Sequence, residues 1–491
     1  MTRRFDLLLH ALGAARPVQL RARALRPLRR RRFPRARPAP ALAPPTGPLA
    51  LWRSAAFDVE PTRVPEDWSG AGLTRLQQFH LHYGAEVLSA ARREDTEHAS
   101  FALRSWIEGN PPRRSDAWHP YPLSTRVGNW VAALALAPDL ATPAVAASLD
   151  LQVRYLARNL EWDILGNHLV RNLRGLALGA LALGQHATVE RALTLLREQL
   201  RDQILADGGH VERSPVYHVI VLRDLLEIRD ACDAAWLAEP VERMRRFAAA
   251  LTRPDGRPAP FNDAPLELAP ALDLPRAGET LNVLRDSGYV VARKADAWIA
   301  FDCGVPGPDY LPAHSHADAL SFQLWVGGRP IVVDPGTFTY EAGQDRDWFR
   351  GTRSHSTVAV DSRDQFRLWG AFRSGRLPKV ELLGSGPDGA QASVVHSTTT
   401  TRHTRSLDWS GDSLLVSDLV EGRGRHLVES TLPLADGGDV QGTGAELVEE
   451  RGWVSERFGE RSPVRLLRLR GEFELPVRLS WEIPLRAAAP T

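Results

Sequence analysis

The hydrophobic pattern of the chain changes period once, near residue 280, and this change constrains the fold more than any other feature. Between about residues 70 and 270, apolar residues recur every three or four positions in segments rich in Ala, Leu and Arg, as in amphipathic helices. After residue 280, short apolar runs alternate with Gly and Asp turns, which indicates strands. Helices followed by strands predict an α+β protein with two segregated domains, and a cleft between them is a natural ligand site.

The helical half is predicted to contain consecutive helices separated by short polar or proline-bearing breaks. They are Leu73–Arg93, Ala99–Glu108, Ser124–Ala137, Thr142–Leu160, Leu169–Leu183, Ala187–Ile204, Val219–Leu237 and Val241–Leu251. Short connections favour helical hairpins that close into a toroid or a bundle. No fixed-period repeat supports a solenoid.

The second half is predicted to be an antiparallel β-sandwich, because many short strands are separated by Gly/Asp turns. The predicted strands are Gly288–Ala292, Ala297–Phe301, Leu320–Val326, Pro330–Val333, Ser356–Val360, Thr404–Trp409, Ser413–Val420, Val464–Leu469 and Val477–Trp481.

The N-terminus is strongly basic, with twelve arginines and one acid, Asp6, in the first forty residues. A weak helix is predicted at Asp6–Leu12, and the prolines within Ala36–Leu51 indicate a linker. Such an arm could contact an anionic polymer, a membrane surface or nucleic acid, or remain a solvated tail. The predicted organisation is an arm and linker over residues 1–52, a helical domain over 53–275 and a sandwich over 280–491.

Composition excludes several classes of protein. The 491 residues suggest two or three domains. Cys232 and Cys303 are too few for a disulfide framework and lack zinc-site spacing. No run of eighteen apolar residues exists, so no transmembrane helix is predicted. The N-terminus does not resemble a secretory signal, which suggests a cytoplasmic or unconventionally placed protein.

The strongest local motif is His314-Ser315-His316-Ala317-Asp318. On an extended segment, His314 and His316 point the same way, which suits two metal ligands or one ligand beside a catalytic group. A surface loop is the alternative. Asp334 ends an apolar run and His355 precedes a predicted strand. Two imidazoles and one carboxylate make a plausible zinc set.

Two segments of the helical half also contain candidate catalytic or binding residues. Asn167-His168 opens an apolar helix, either as a cap or as donors that grip a carboxylate. The loop that contains Glu212, Arg213 and Tyr217 is dense in titratable groups, and such loops are seldom only structural. Packing of the tyrosine ring is the alternative. GxSxG, phosphate-loop and CxxC motifs are absent from the sequence.

Together, and in this order, these segments resemble the heparinase II/III family of polysaccharide lyases, which includes relatives that act on alginate. The matching segments are Asn167-His168, Glu212–His218, His314–Phe322, Val333–Gly336 and Arg353–Thr357. The resemblance covers roughly residues 70 to 480. It implies an incomplete (α/α) toroid followed by an antiparallel β-sandwich.

The resemblance implies β-elimination at a uronic acid. Asn167 and His168 would neutralise the uronate carboxylate and so stabilise the enolate-like intermediate. Tyr217 would protonate the leaving oxygen at C4 and could also be the base. His314 would be the other base or acid, depending on the epimer.

The resemblance also implies binding roles. His316, Asp334 and His355 match positions that hold a structural Zn²⁺ in some members, where the ion would order the loop that presents His314. The substrate-binding residues would be Glu212, Arg213, Arg350 and Arg353, since arginine pairs with carboxylate or sulfate.

Two other functions stay open. A glycoside hydrolase would need paired carboxylates, here Glu212 with Asp318 or Asp263. A non-catalytic glycan-binding protein of exopolysaccharide metabolism would use the cleft only to hold polymer. In each case an acidic polysaccharide is the expected partner and no nucleic acid is expected. The resemblance favours the periplasm or cell envelope, whereas the lack of a clear signal favours the cytoplasm.

Overall fold

The structure, a computed structural model, describes residues 7, 10–29, 32–38, 40–53, 65, 67–275, 280–435 and 440–486. The predicted helix Asp6–Leu12 lies partly outside these residues, and residues 10–14 are helical. None of the described helices is long and apolar enough to cross a membrane.

Helices dominate the chain up to residue 250. They are α1 (Pro17–Arg29), α2 (Leu49–Arg53), α3 (Arg75–Leu81), α4 (Ala85–Arg92), α5 (Thr96–Gly109), α6 (Pro120–Leu136), α7 (Pro143–Leu156), α8 (Gly166–Ala182), α9 (His186–Gln203), α10 (Pro215–Ala231) and α11 (Ala238–Ala250); α12 (Gln344–Arg350) lies among the strands. Helices α6, α8 and α10 contribute many residues to one apolar core, in which Trp106 and Trp130 are fully buried.

The prediction of one helix over Leu73–Arg93 is wrong, because α3 and α4 are separate. Gly84 stands between them with a φ of +67°. A Cβ atom at this position would lie 2.8 Å from the indole nitrogen of Trp130. The break therefore needs glycine both for its backbone conformation and for its close packing.

The arm contains two helices that the sequence did not predict, α1 and α2. The arginines and Pro27 of α1 are not typical of a helix that packs on a domain. Nevertheless, Gln19 and Ala22 on one side of α1 are buried. The predicted linker Ala36–Leu51 ends within α2, whose Trp52 is fully buried.

The strands follow from residue 281. They are β1 (Leu281–Leu284), β2 (Tyr289–Lys294), β3 (Ala297–Asp302), β4 (Phe322–Val326), β5 (Arg329–Val332), β6 (Val358–Val360), β7 (Leu368–Trp369), β8 (Arg373–Ser374), β9 (Lys379–Gly386), β10 (Gly389–Val395), β11 (Arg402–Asp408), β12 (Ser413–Glu421), β13 (Arg425–Leu434), β14 (Gln441–Thr443), β15 (Glu446–Arg457), β16 (Glu460–Glu474) and β17 (Val477–Pro484).

Two antiparallel sheets face each other, which confirms the predicted α+β architecture of a helical toroid followed by an antiparallel β-sandwich. One sheet has the order β1-β2-β3-β4-β5-β13-β16-β15, with β6 paired to β13, and the other has the order β14-β17-β12-β11-β10-β9. Strands such as β15 were not predicted, because much of β15 is exposed and its sequence is rich in charged residues.

An apolar contact joins the two domains and positions the cleft. Phe247 and Leu251 at the end of α11 pack with Trp298 on β3 and Trp325 on β4. The segment that follows α11 then brings residues 259–266 against both domains.

Candidate active site

A cavity of about 920 Å³ lies between the helical domain and the sandwich. Asn167, His168 and Tyr217 line it from the helical side, and His314 and Tyr340 line it from the sandwich side. All four residues predicted to be catalytic therefore face one cavity.

Asn167 and His168 lie in the first turn of α8, directly after Leu165 and Gly166, whose φ angles are +71° and +55°. A Cβ atom at Gly166 would lie 1.8 Å from Glu212 Oε1, so glycine lets this helix end approach the carboxylate. The backbone N–H and side-chain Nδ2 of Asn167 donate to Glu212 at 2.8 and 2.7 Å. One of the two Nδ2 protons of the amide remains for a ligand.

His168 is held by a buried carboxylate behind it. Its Nδ1 lies 3.3 Å from Glu161 Oε1, and its ring packs on Tyr121 with centroids 4.3 Å apart. Burial alone would lower the pKa of His168, but the Glu161 charge raises it above its ordinary value. A protonated imidazole suits the neutralisation of an anion.

Tyr217 lies in the first turn of α10, where Ser214 Oγ accepts a hydrogen bond from the Tyr217 N–H. Its ring stacks on His314 with centroids 3.8 Å apart, and its hydroxyl lies 2.8 Å from the hydroxyl of Tyr340. Burial raises the pKa of Tyr217 well above its ordinary value. The phenol therefore keeps its proton near neutral pH and can donate it.

His314 is anchored by a carboxylate on each side of its ring. Nδ1 lies 3.1 Å from Asp263 Oδ2, and Nε2 lies 3.4 Å from Glu212 Oε2. Asp263 is fully buried and also contacts Arg346 and His316. Burial would raise the pKa of Asp263, but the Arg346 charge and these hydrogen bonds hold it well below its ordinary value.

Sequence reasoning missed three members of this site: Arg346, Tyr340 and Glu161. It considered Asp263 only as half of a hydrolase pair. Tyr340 lies in a loop, where no periodic pattern marks it. The one sequence signal that could have identified Asp263 as a site residue is its position, because an acidic residue here follows the last helix of the domain.

The structure does not bring the three predicted substrate-binding arginines to the cavity. Arg213 donates to the carbonyl of Ser287, and Arg353 pairs with Glu429 at 3.0 Å. Arg350 is buried and donates to the carbonyls of Ser315 and Ala371. Their guanidinium groups serve the fold, because each is held by an internal acceptor and none lines the cavity.

Glu212, the fourth predicted substrate-binding residue, does line the cavity. Burial would raise the pKa of Glu212, but His314, His210 and the Asn167 hydrogen bonds lower it. An ionised carboxylate between Asn167 and His314 positions these two side chains, whereas it would repel an anionic ligand.

Two of the three predicted metal ligands, His316 and His355, are buried in one cluster with Asp318, which was not predicted as a ligand. His316, His355 and Asp318 offer ligand atoms that all lie within 4.8 Å of one another. Asp334, the predicted carboxylate, instead accepts from His355 Nδ1 at 3.1 Å. Within the described part of the chain, His316 Nδ1 and both oxygens of Asp318 have no hydrogen-bond partner. Unpaired buried nitrogen and oxygen atoms fit a cation such as zinc.

The carboxylate pairs that a glycoside hydrolase would need do not face the cavity. Asp263 and Asp318 are both fully buried, and neither lines the cavity with Glu212. Asp263 is neutralised by Arg346.

Two profiles of one protein family match this chain. The heparinase II/III N-terminal profile matches residues 61–270, and the heparinase II/III-like C-terminal profile matches residues 276–482. The chain belongs to the heparinase II/III family. Together the two heparinase II/III matches span both the helical domain and the sandwich.

The curated relatives of this chain have low sequence identity to it. A heparin-sulfate lyase of Bacteroides thetaiotaomicron is 23% identical over an alignment of 357 positions, and the match covers 57% of this chain and 50% of that protein. FtsZ-localized protein C of Caulobacter vibrioides is 28% identical over an alignment of 286 positions, and the match covers 53% of this chain and 48% of that protein. The matches thus span about half the length of these relatives.

Solved structures share the heparinase II/III fold. A crystal structure of heparinase III has a TM-score of 0.71 at 16% identity and covers 95% of this chain and 90% of its own. A chondroitin AC lyase from Streptomyces coelicolor has a TM-score of 0.53 at 15% identity, with 90% and 79% of the two chains covered.

Proposed function

We propose that this protein is a polysaccharide lyase that cleaves a uronic-acid-containing acidic polysaccharide by β-elimination. The observation that carries this proposal is the stacking of Tyr217 on His314, with centroids 3.8 Å apart, in a cavity also lined by Asn167 and His168. One side chain comes from each domain, so the acid–base pair exists only when both domains are assembled. Relatives named heparin-sulfate lyase support the same reaction.

In the proposed reaction, Asn167 and His168 bind the uronate carboxylate. The free Nδ2 proton of Asn167 and the imidazole of His168 withdraw charge from the carboxylate, which makes the C5 proton more acidic. Glu212 orients Asn167, and Glu161 orients His168.

Proton transfer follows at C5 and C4. His314 removes the C5 proton, the electron pair forms the C4–C5 double bond, and the C4–O bond breaks. The leaving oxygen takes its proton from the Tyr217 hydroxyl. The C5 proton that His314 then carries must return to Tyr217 to complete the cycle, and the Tyr340 hydroxyl, which contacts that of Tyr217, can relay it.

A structural zinc ion is part of the proposal. His316 and His355 would hold it, with a carboxylate from Asp318 or Asp334. A bound ion would fix the loop that carries His314, two residues before His316. It has no role in the proton transfers.

The test is incubation of the protein with a panel of uronate polymers that includes heparan sulfate, chondroitin sulfate and alginate. β-Elimination yields an unsaturated product that absorbs ultraviolet light, whereas hydrolysis yields a product without a double bond. Absorbance that rises with at least one polymer is the expected result. Cleavage without new absorbance would contradict the proposal and support a hydrolase.

A non-catalytic glycan-binding protein is the second candidate. It is favoured by the similarity to FtsZ-localized protein C, a relative whose name describes a location rather than an activity. In this case the cavity would bind an acidic glycan, and the panel would show binding without any cleavage.

A further inference from the structure

The basic N-terminal arm lines one side of the cleft and contacts both domains. At one end, a Cβ atom on Gly375 would lie 3.0 Å from Leu7 Cδ2, so the arm packs on the sandwich. At the other end, Arg26 pairs with Asp163 of the helical domain at 2.9 Å. The arm is therefore docked rather than free in solvent.

The middle of the arm is fixed by specific contacts. Gln19 is 3% exposed, and its Nε2 donates to the carbonyl oxygen of Tyr310 at 3.2 Å. The guanidinium of Arg16 lies 4.0 Å from the centroid of the Tyr310 ring and pairs with Asp202 at 2.6 Å. These contacts set the rotation of α1 and determine which arginines face the cleft.

The arm forms part of the wall of the cavity that contains the proposed catalytic residues. His10, Gln19 and Arg23 line it together with Tyr217 and His314. Arg23 thus reaches the same space as the acid–base pair, whereas Arg21 on the same helix does not line it.

Most arginines that line the cavity are already neutralised by acids. The pairs are Arg75 with Asp116, Arg171 with Asp224, Arg174 with Glu227 and Arg223 with Glu227. Arg23 and Arg373 also line the cavity, and neither forms an ion pair with any described residue. Arg373 lies over the Trp369 ring, 4.7 Å from its centroid, which supports its side chain.

We propose that Arg23 and Arg373 bind the carboxylate or sulfate groups of the sugar units that flank the cleaved linkage. The inference rests on the proposed function, because it places an acidic oligosaccharide in this cavity. An unpaired guanidinium offers a planar array of donors that matches both anions. The arm is thus a third wall of the substrate site.

An oligosaccharide is a better occupant for this cationic surface than a membrane or a nucleic acid. Arg23 faces a cavity of about 920 Å³ that is lined by two domains and the arm. A few sugar units fit such a space and can contact the arginines and the acid–base pair together, while a bilayer or a duplex could touch the exposed arginines but is too large to fill the cavity.

The experiment measures the Kd of fluorescently labelled heparan sulfate and alginate oligosaccharides for full-length variants. Arg23→Gln and Arg373→Gln should each raise the Kd about tenfold, the effect of losing one charge-assisted contact. The loss should shrink as salt is added, because the contact is electrostatic and exposed.

Matched controls are available near both arginines. Arg21 on α1 and Arg376 after β8 are exposed and do not line the cavity, so Arg21→Gln and Arg376→Gln remove the same charge elsewhere. Both controls should bind within about twofold of the wild type, since distant exposed charges are screened. Thermal unfolding verifies that all four variants are folded.

The results separate this inference from the proposed function. If the wild type binds the oligosaccharides without cleaving any, and the two cavity variants bind weakly, the inference holds and lyase activity is wrong. If the wild type cleaves and the cavity variants bind like their controls, the inference is wrong and the lyase proposal holds. If the wild type neither binds nor cleaves any probe, both are overturned.

Discussion

The two walls of the cleft are built differently. The helical wall presents Asn167, His168 and Tyr217 from the first turns of α8 and α10, where helical hydrogen bonds and, in α10, the Ser214 cap fix the backbone. The sandwich wall presents His314 from a loop, residues 303–321, that lacks regular structure.

The loop is held by buried charge instead. Asp263 and Arg346 fix the His314 ring, and Arg350 donates to the carbonyl of Ser315. The comparison teaches that a helix end fixes the backbone of a catalytic residue by itself and needs other residues only to orient the side chain, whereas a loop needs partners distant in sequence for both. Substitutions that disrupt the sandwich wall should therefore leave the backbone of the helical wall in place.

The largest expected effect is on activity, from Tyr217→Phe. This change removes the proton donor but keeps the ring that stacks on His314, so kcat should fall about 10²–10⁴-fold. The unfolding free energy should fall only by about 1 kcal/mol, the loss of one hydrogen bond. Product formation and urea unfolding measure the two quantities.

The matched control is Tyr289→Phe. Its hydroxyl is also buried and donates to the carbonyl of Arg213, but it does not line the cavity. Activity should stay near that of the wild type. Equal losses of activity in both variants would mean that Tyr217 only packs.

Asp263→Ala should break the sandwich wall. It leaves Arg346, whose side chain is fully buried, without its carboxylate, and such losses cost about 3–5 kcal/mol. Urea unfolding measures the loss. The control is Asp412→Ala, whose pair with Arg486 is about three-quarters exposed and should change stability by less than about 1 kcal/mol. Similar stability of the two variants would refute the anchoring role of Asp263.

Removal of zinc should also lower the stability of the protein, because the proposed ion supports the sandwich wall. If the ion is present at 100 times its Kd, a chelator should lower the unfolding free energy by about 2.7 kcal/mol. His355→Gln should abolish this sensitivity, because one ligand is lost. Metal content and thermal unfolding are the readouts. A wild-type protein that binds no zinc, and whose melting zinc leaves unchanged, would exclude the site.

The helical wall should respond to pH through Glu161. Histidines 168 and 119 and hydrogen bonds lower the pKa of Glu161 from 4.5 to about 2, although burial opposes them. A lowered pKa stabilises the fold above the unfolded value, and this contribution is lost as pH falls from about 4.5 towards 2. At about 1.4 kcal/mol per pKa unit, the effect is roughly 3–4 kcal/mol.

His168 makes a second contribution to stability, which is lost at high pH rather than at low pH. Its raised pKa stabilises the fold below about 6.5, and this contribution is lost as pH rises through the folded value. The stability difference between wild type and Glu161→Gln should therefore be largest near pH 5–6 and shrink at pH 3. Urea unfolding at these pH values tests it, and a difference independent of pH would contradict the Glu161–His168 pairing.

Much of the fold was predictable because its signal is local. The change from helical to strand period near residue 280 reports the order of the two halves, and Gly and Asp turns report the antiparallel strands. Strands such as β15 were missed, because a half-exposed strand shows weak alternation.

The motif around His314 was also readable, because its residues are adjacent. The contacts that the arginines make could not be predicted from the sequence. Arg350 and Arg353 look like ligands for anions in the sequence, yet Arg350 binds backbone carbonyls and Arg353 binds Glu429. The sequence shows that a guanidinium is present, but it does not show which acceptor the guanidinium contacts in the folded protein.

The sequence alone determined the order of the domains and the types of side chain that carry the proposed chemistry. Only the tertiary structure decided that Asp263 anchors His314, that Asp318 joins His316 and His355, and that the arm lines the cleft. The physical reason is that these contacts join residues far apart in the chain. Folding chooses among many buried partners, and a side chain's identity does not specify which one it meets.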